Sequence, residues 1–254
     1  MENQSLIAII PARGGSKRLS RKNILPFFGH PLIAYTVTAA INSKLFEKIF
    51  VSTDDPLIGR IGEWYGAEYL ARPSELATDD ANLIDVAIHL LNTLTDKGAK
   101  IGALCQLMPN CPLRCSQDIV EQYKLFERTQ RSFQISVIEY RGVYPHWALK
   151  NDEFGKGDWL FGSEYLVPSQ QFSKVYCPTG AIWWSRVGDF KSQKAFYGNP
   201  FHLAPMDANR GIDIDRLDEL ELAEVLTLGL WERDKVSPLE PITKEPFPEE
   251  LLNG

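Results

Sequence analysis

The sequence predicts an α/β protein built on a mostly parallel sheet, and three observations carry the prediction. Apolar runs of strand length alternate with longer amphipathic segments through the first half of the 254-residue chain, the pattern of successive βαβ units. The first run, Leu6 to Ile10, empties into the pair Gly14-Gly15 and five cations between Arg13 and Lys22. A buried strand ending this way offers backbone N–H groups and positive charge to a phosphate chain. Finally, 44% hydrophobic and 24% charged residues are enough to bury one large core, so a single domain over residues 1–254 is expected.

Taken in order, Leu6 to Ile10 is the first strand. Pro31 opens a helix to about Asn42, with Leu32, Ile33, Val37, Ala40 and Ile41 at helical spacing, and Lys48 to Ser52 is the second strand. Thr53-Asp54-Asp55-Pro56 reads as a cap with proline in the first turn of a helix that Gly66 ends. Glu68 to Ala71 is a short third strand, and Asp79 or Asp80 is expected to cap a helix reaching Leu94. Ile101 to Leu107 is the fourth strand, followed by the loop 108–114 and a helix from Ser116 toward Arg128. From Phe133 the pattern changes to short β-like runs rich in Tyr and Trp, without helices. Two readings of these runs stand: an excursion that packs on the main body or on a second subunit, or ordinary antiparallel strands at a sheet edge. Helical character returns after Gly211-Ile-Asp-Ile-Asp215 and runs to about Leu230, and the Pro- and Glu-rich tail beyond Lys235 is expected to be loosely attached.

Composition excludes several classes. The formal charge is -6, so the cationic loop is a local concentration suited to a small polyanion, and no nucleic-acid partner is expected. No apolar stretch approaches the roughly 20 residues of a membrane span, and the first strand is too short for a signal peptide, which predicts a cytoplasmic protein without a membrane partner. Cys105, Cys111, Cys115 and Cys177 have neither zinc-knuckle nor disulfide-framework spacing and are expected as reduced thiols. The four histidines show no i,i+4 pair, and there is no GxSxG elbow.

Two constellations carry candidate chemistry. The glycine loop lacks both GxxxxGK[ST] and GxGxxG, so it is a different phosphate loop. In it Gly14 and Gly15 can adopt positive φ and let the backbone approach an oxygen closely, Arg13 offers a bidentate fork, Lys17 and Lys22 act as point charges, and Ser16 is placed to bond phosphate. The alternative is a solvated basic surface loop. The second constellation is Asp213-Ile214-Asp215: in an extended segment, alternation sends both carboxylates to one face and Ile212 with Ile214 to the other. Magnesium takes one or two carboxylates plus substrate phosphates, so the pair suits that ion; equally, Asp215 suits the cap of a helix beginning at Arg216. Because ligands of open parallel sheets bind beyond the strands' carboxyl ends, Arg13, Arg72 and Arg114 are expected in one neighbourhood.

PARGGSKRLSRKN at 11–23, VSTDD at 51–55, ARPSELATD at 71–79, PLR at 112–114, PTGAIW at 178–183 and IDID at 212–215 occur in an order that resembles the acylneuraminate cytidylyltransferases. These are the CMP-sialic acid synthetases and relatives acting on legionaminic and pseudaminic acids, and the resemblance runs from about Ile7 to Leu226. It implies a three-layer nucleotide-sugar-transferase (Rossmann-like) sandwich and a homodimer formed partly by an extension at about 139–176. The implied reaction is attack of the anomeric hydroxyl of a nine-carbon keto acid sugar on the α-phosphorus of CTP, with Mg2+, releasing pyrophosphate. By position, Ala12, Arg13, Gly14, Gly15, Ser16, Lys17 and Asn23, with Arg72 and Asp79, correspond to the nucleotide contacts. Asp213 and Asp215 correspond to the magnesium carboxylates, and Arg13, Lys22 and Asp215 to the catalytic groups. Met108, Gln170 and Gln171 correspond to the sugar side.

The chain also departs from that pattern. Where sialic-acid enzymes read LLQPTSPLR, Met108 replaces a glutamine, and Ser169 and Cys177 stand where those enzymes carry arginines. An unpaired polar group costs more than a missing methylene, so these changes point to an acceptor other than N-acetylneuraminic acid. An eight-carbon keto acid or a sugar 1-phosphate as substrate, and a nucleotide-binding protein without turnover, are the alternatives.

Overall fold

The computed structural model describes residues 5–78, 81–141, 144–162 and 166–251. Seven strands form one sheet: β1 (Ser5–Pro11), β2 (Lys48–Thr53), β3 (Glu68–Ala71), β4 (Ile101–Gln106), β5 (Phe133–Glu139), β6 (Tyr176–Arg186) and β7 (Phe201–Pro205), in the spatial order β3-β2-β1-β4-β6-β5-β7. All pairings are parallel except those of β6, which runs antiparallel between β4 and β5. The predicted mostly parallel sheet is therefore present, and the aromatic-rich half supplies interior strands of the same sheet.

Alternation within β1 divides the core. Ala8 and Ile10 join one apolar layer, against α1 (Leu32–Asn42), α2 (Pro56–Trp64) and α4 (Ser116–Thr129), while Ile7 and Ile9 join the other, against α3 (Leu83–Thr95) and α5 (Val187–Gln193). Such two-sided burial is why the strands read as continuous apolar runs. A third cluster seats α6 (Leu217–Asp234) on Phe27, Leu32 and Tyr35 through Leu220 and Ala223.

Local signals account for most boundaries. Asp55 caps α2 by accepting from Leu57 N–H at 2.8 Å, with Pro56 in the first turn, and Gly66 ends the helix at φ 103°. Asn82, accepting from Ile84 N–H, caps α3 in the role expected of Asp79 or Asp80, which lie outside the described residues. α5 was not legible: its seven residues include Gly188 and show no sustained helical period.

The excursion between β5 and β6 holds a small hairpin, Leu149–Asn151 with Gly157–Trp159, and an aromatic group in which Phe172 contacts Tyr144, His146 and Trp147. The C-terminal tail, expected to be loose, is strapped to the body. Phe247 is buried against Trp64, Trp64 Nε1 donates to Glu245 O, and the buried Glu240 carboxylate accepts from Asn42 Nδ2 at 2.8 Å and Ser116 N–H at 2.7 Å. The tail's apolar residues are few and separated by prolines, so no periodic pattern announces this packing.

Candidate active site

The loop leaving β1 is pinned at three points. Ala12 is buried and its N–H donates to Ser52 O; Gly14 N–H donates to Asp54 Oδ1 at 3.0 Å; and Asn23 Nδ2 donates to Arg13 O at 3.0 Å. Neither glycine uses the positive φ open to it. Gly14 is required for close approach, because a Cβ there would lie 2.9 Å from Asp55 Cβ, whereas one at Gly15 would meet nothing within 4 Å. After the left-handed residue Arg21 (φ 51°), a short turn, Lys22–Ile24, aims Lys22 back across the loop.

Lys22 is aimed at the acidic doublet. Its Nζ donates to Asp215 Oδ1 at 2.6 Å, and Arg18 donates to Asp215 Oδ2 at 2.8 Å. Residues 211–215 are irregular rather than the extended strand expected: Ile214 is buried and Ile212 packs beside it in the α6 cluster, while both acids meet the loop after β4. Asp215 does not cap α6. Glu219 accepts from both Asp215 N–H and Arg216 N–H, which leaves the Asp215 carboxylate to the cations.

Asp213 is held more tightly. Gly180 N–H donates to its Oδ2 at 3.0 Å and the Cys111 thiol to its Oδ1 at 2.7 Å. Burial, then the charge of Asp213, pushes the Cys111 thiol well up, so it stays protonated and is the donor. A Cβ at Gly180 would come within 2.6 Å of Met108 Cγ, so that glycine brings the irregular middle of β6 against both Met108 and Asp213.

These pieces surround a cleft of about 210 Å³. It opens beyond the carboxyl ends of β1, β3 and β4, where the strand order reverses between β1 and β4, as expected for ligand sites of open α/β sheets. Of the sequence-predicted residues, Arg13, Ser16, Lys17, Lys22, Asn23, Arg72, Met108 and Asp215 line it. Ala12, Gly14 and Gly15 lie in the loop's frame, and Asp213 stands behind Met108 at Gly180. Gln170 and Gln171 are exposed on the excursion and are not brought to the cleft, and Asp79 lies outside the described residues.

Arg114 is a correction: it is fully buried, donating to Met108 O, Ala181 O and Thr36 Oγ1. It braces the loop after β4 from below instead of facing the cleft. Residues overlooked at the sequence level are Arg18, Asn110 and Cys111. Arg18 lay inside the counted cation cluster, while Asn110 and Cys111 carried no signal beyond their place next to Met108.

Burial works to raise the pKa of Asp215, but the Lys22 hydrogen bond and the charges of Lys22 and Arg18 outweigh it and hold the carboxyl below its ordinary value. Arg72, buried and donating to Ser52 O at 2.6 Å, has its pKa lowered first by burial, and then by Arg13 against the opposing pull of Asp54. Among the described residues no three His, Cys, Asp or Glu side chains gather around one point that would hold a metal ion. The donor set of two neighbouring carboxylates fits an ion that completes its shell with water and phosphate oxygens, and magnesium is such an ion.

A cytidylyltransferase family model matches residues 7–135, from β1 through the first residues of β5. The chain belongs to the cytidylyltransferase family. It is 36% identical over 219 residues to the N-acylneuraminate cytidylyltransferase of Escherichia coli O18:K1:H7, covering 86% of this chain and 51% of that protein, so it spans about half of that relative's length. It is 32% identical to the pseudaminic acid cytidylyltransferase of Campylobacter jejuni, covering 87% of this chain and 95% of that one. The solved structure of CMP:2-keto-3-deoxy-manno-octonic acid synthetase complexed with CTP shares the fold, at a TM-score of 0.65 and 15% identity over 89% of this chain and 99% of that one. The family match contains the loop after β1 and the 108–114 loop, and it ends before the acidic doublet.

Proposed function

We propose that this cytidylyltransferase transfers CMP from CTP to the anomeric hydroxyl of a nonulosonic keto acid sugar and releases pyrophosphate. The reading is carried by the meeting of Lys22 and Arg18 with Asp215 at a cleft that also receives Arg13, Lys17 and Arg72. That cluster suits a nucleoside triphosphate: the cations take phosphate oxygens, and the buried Asn23, whose Oδ1 has no hydrogen-bond partner among the described residues, offers an acceptor to the nucleoside beside Arg72.

Nucleotidyl transfer asks the protein mainly for positioning and charge. Arg13 and Lys22 meet the negative charge that develops on the leaving pyrophosphate as the bond between the α-phosphorus and its bridging oxygen breaks. Asp215, kept ionised by its cations, accepts the proton of the sugar hydroxyl as the new oxygen–phosphorus bond forms. Asp213 and Asp215 are the residues that would hold Mg2+, which supplies Lewis-acid polarisation of the phosphate. Met108 offers the acceptor an apolar thioether, which favours a nonulosonic acid other than N-acetylneuraminic acid.

The enzyme acts in the cytoplasm, where CTP is supplied; among the described residues no helix is long and apolar enough to cross a membrane. It works as a homodimer through the excursion at about 139–176, where Leu149, Phe154, Leu160, Phe161 and Leu166 are exposed, Phe154 at 86%. Such an interface is also the route by which Gln170 and Gln171 reach a sugar.

The test is pyrophosphate release from CTP with a panel of acceptors, comprising pseudaminic, legionaminic and N-acetylneuraminic acids and an eight-carbon keto acid, with and without EDTA. Release with a nonulosonic acid that EDTA abolishes supports the proposal. Release with the eight-carbon acid alone, or CTP binding without release from any acceptor, refutes it.

A further inference from the structure

The backbone of 211–215 belongs to no strand, so no ladder fixes the aim of the two acids that flank Ile214. Hydrogen bonds do so: Lys22 and Arg18 hold Asp215, Gly180 N–H holds Asp213, and the loop after β4 adds one donor to each. Two consecutive residues of the loop after β4 each reach one of them. Asn110 and Ile214 exchange bonds: Ile214 N–H donates to Asn110 O at 2.9 Å and Asn110 Nδ2 donates to Ile214 O at 3.1 Å. The same Nδ2 lies 3.4 Å from Asp215 Oδ1. The Ile214 carbonyl fixes the orientation of the Asn110 amide, because only its NH2 end can donate there. Cys111 donates its S–H to Asp213 Oδ1 at 2.7 Å. Both side chains are buried, and the loop that carries them is braced by Arg114 through Met108 O and by Thr36 Oγ1, which donates to the same carbonyl.

We propose that Asn110 and Cys111 are a positioning clamp that sets the separation and aim of Asp215 and Asp213, and so sets the affinity of the cleft for a divalent cation. The clamp rests on the reading of these two acids as the magnesium carboxylates. Neither clamp residue is a ligand. Each adds one hydrogen bond to a carboxylate that is also held elsewhere, Asp215 by Lys22 and Arg18 and Asp213 by Gly180 N–H, and so fixes the direction in which the lone pairs left for the ion point. Partners of this kind are worth about 10- to 100-fold in metal affinity in other sites. The arrangement also explains why an amide and a thiol stand side by side here. An i, i+1 pair on the braced loop meets an i, i+2 pair on the irregular segment, with Ile214 anchored between them.

The test is Mn2+ binding followed by electron paramagnetic resonance, with CTP present, on the wild type, Cys111→Ser, Cys111→Val and Asn110→Ala. Thermal melting of each protein checks its fold. Cys111→Ser keeps a donor and is expected to bind Mn2+ within about 2-fold of wild type, whereas Cys111→Val and Asn110→Ala weaken binding about 10-fold or more. CTP affinity measured without metal stays unchanged in all of them. Should Cys111→Val fail to fold, Cys111→Ala supplies the donor-lacking variant to set against Cys111→Ser. Wild-type Mn2+ binding that both donor-lacking variants retain in full overturns the clamp and leaves the metal reading intact. A wild type that binds no Mn2+ beside CTP overturns the metal reading itself.

Discussion

Lys22 Nζ lies 2.6 Å from Asp215 Oδ1, a hydrogen bond between residues 193 positions apart that joins the loop after the first strand to the segment before the last helix. Lys22 is mostly buried and Asp215 half-buried, with side-chain exposures of 15% and 30%, so the pair is shielded more than a surface ion pair. It is the link on which the proposed catalysis turns.

Removing the cation tests that link. Lys22→Ala is expected to lower kcat by about 100-fold, since each charge aimed at a developing oxyanion is worth about that much. The fold should survive, because Lys22 adds no apolar packing to the core clusters. Steady-state kinetics with saturating CTP, alongside circular dichroism, checks both halves of the expectation.

Asp215 gives a pH dependence of known sign. Its pKa in the folded protein is held below the ordinary value, so the unfolded chain binds the proton more readily. The pairing contributes to stability above the ordinary aspartate pKa of about 3.9, and that contribution disappears as pH falls through the lower folded value. Urea unfolding should find wild type more stable than Asp215→Asn at neutral pH, with the gap closing as pH falls below the ordinary aspartate range.

The two loop glycines should separate cleanly. Gly14→Ala forces a methyl group against Asp55 Cβ, next to the cap of α2, and should cost about 1–3 kcal/mol. Gly15→Ala points into open space and should change stability by no more than about 0.5 kcal/mol. Chemical denaturation of the two variants measures the difference.

Glu240 ties the tail to two helices. Glu240→Ala leaves Asn42 Nδ2 and the Ser116 N–H at the start of α4 without their acceptor, at an expected cost of about 1–3 kcal/mol. A thermal melt of this variant, and of a chain ending at Lys235, should show both less stable than wild type.

The parallel half of the fold was legible because its strands are buried on both faces and its helices carry caps, as at Asp55-Pro56. The cation loop and acidic doublet were legible for a related reason, charge concentrated where a core pattern stops. Arg114 misled the sequence reading because its position beyond a strand end says nothing about which way a long side chain turns; here it turns inward to three oxygen acceptors. The contacts of Asn110, Cys111 and Gly180 were not legible for the opposite reason. Their roles are single hydrogen bonds or close approaches to partners some 30 to 100 residues away, and no local spacing encodes those. The strapped tail is the same case, since Phe247 and Glu240 find their partners only in the assembled core.

The most direct measurement is a crystal structure with CTP and Mg2+ bound. The account predicts the triphosphate lying in the cleft between Arg13, Lys22 and Asp215, with the metal on the carboxylates of Asp213 and Asp215. A nucleotide bound elsewhere, or a triphosphate whose metal touches neither acid, would contradict it.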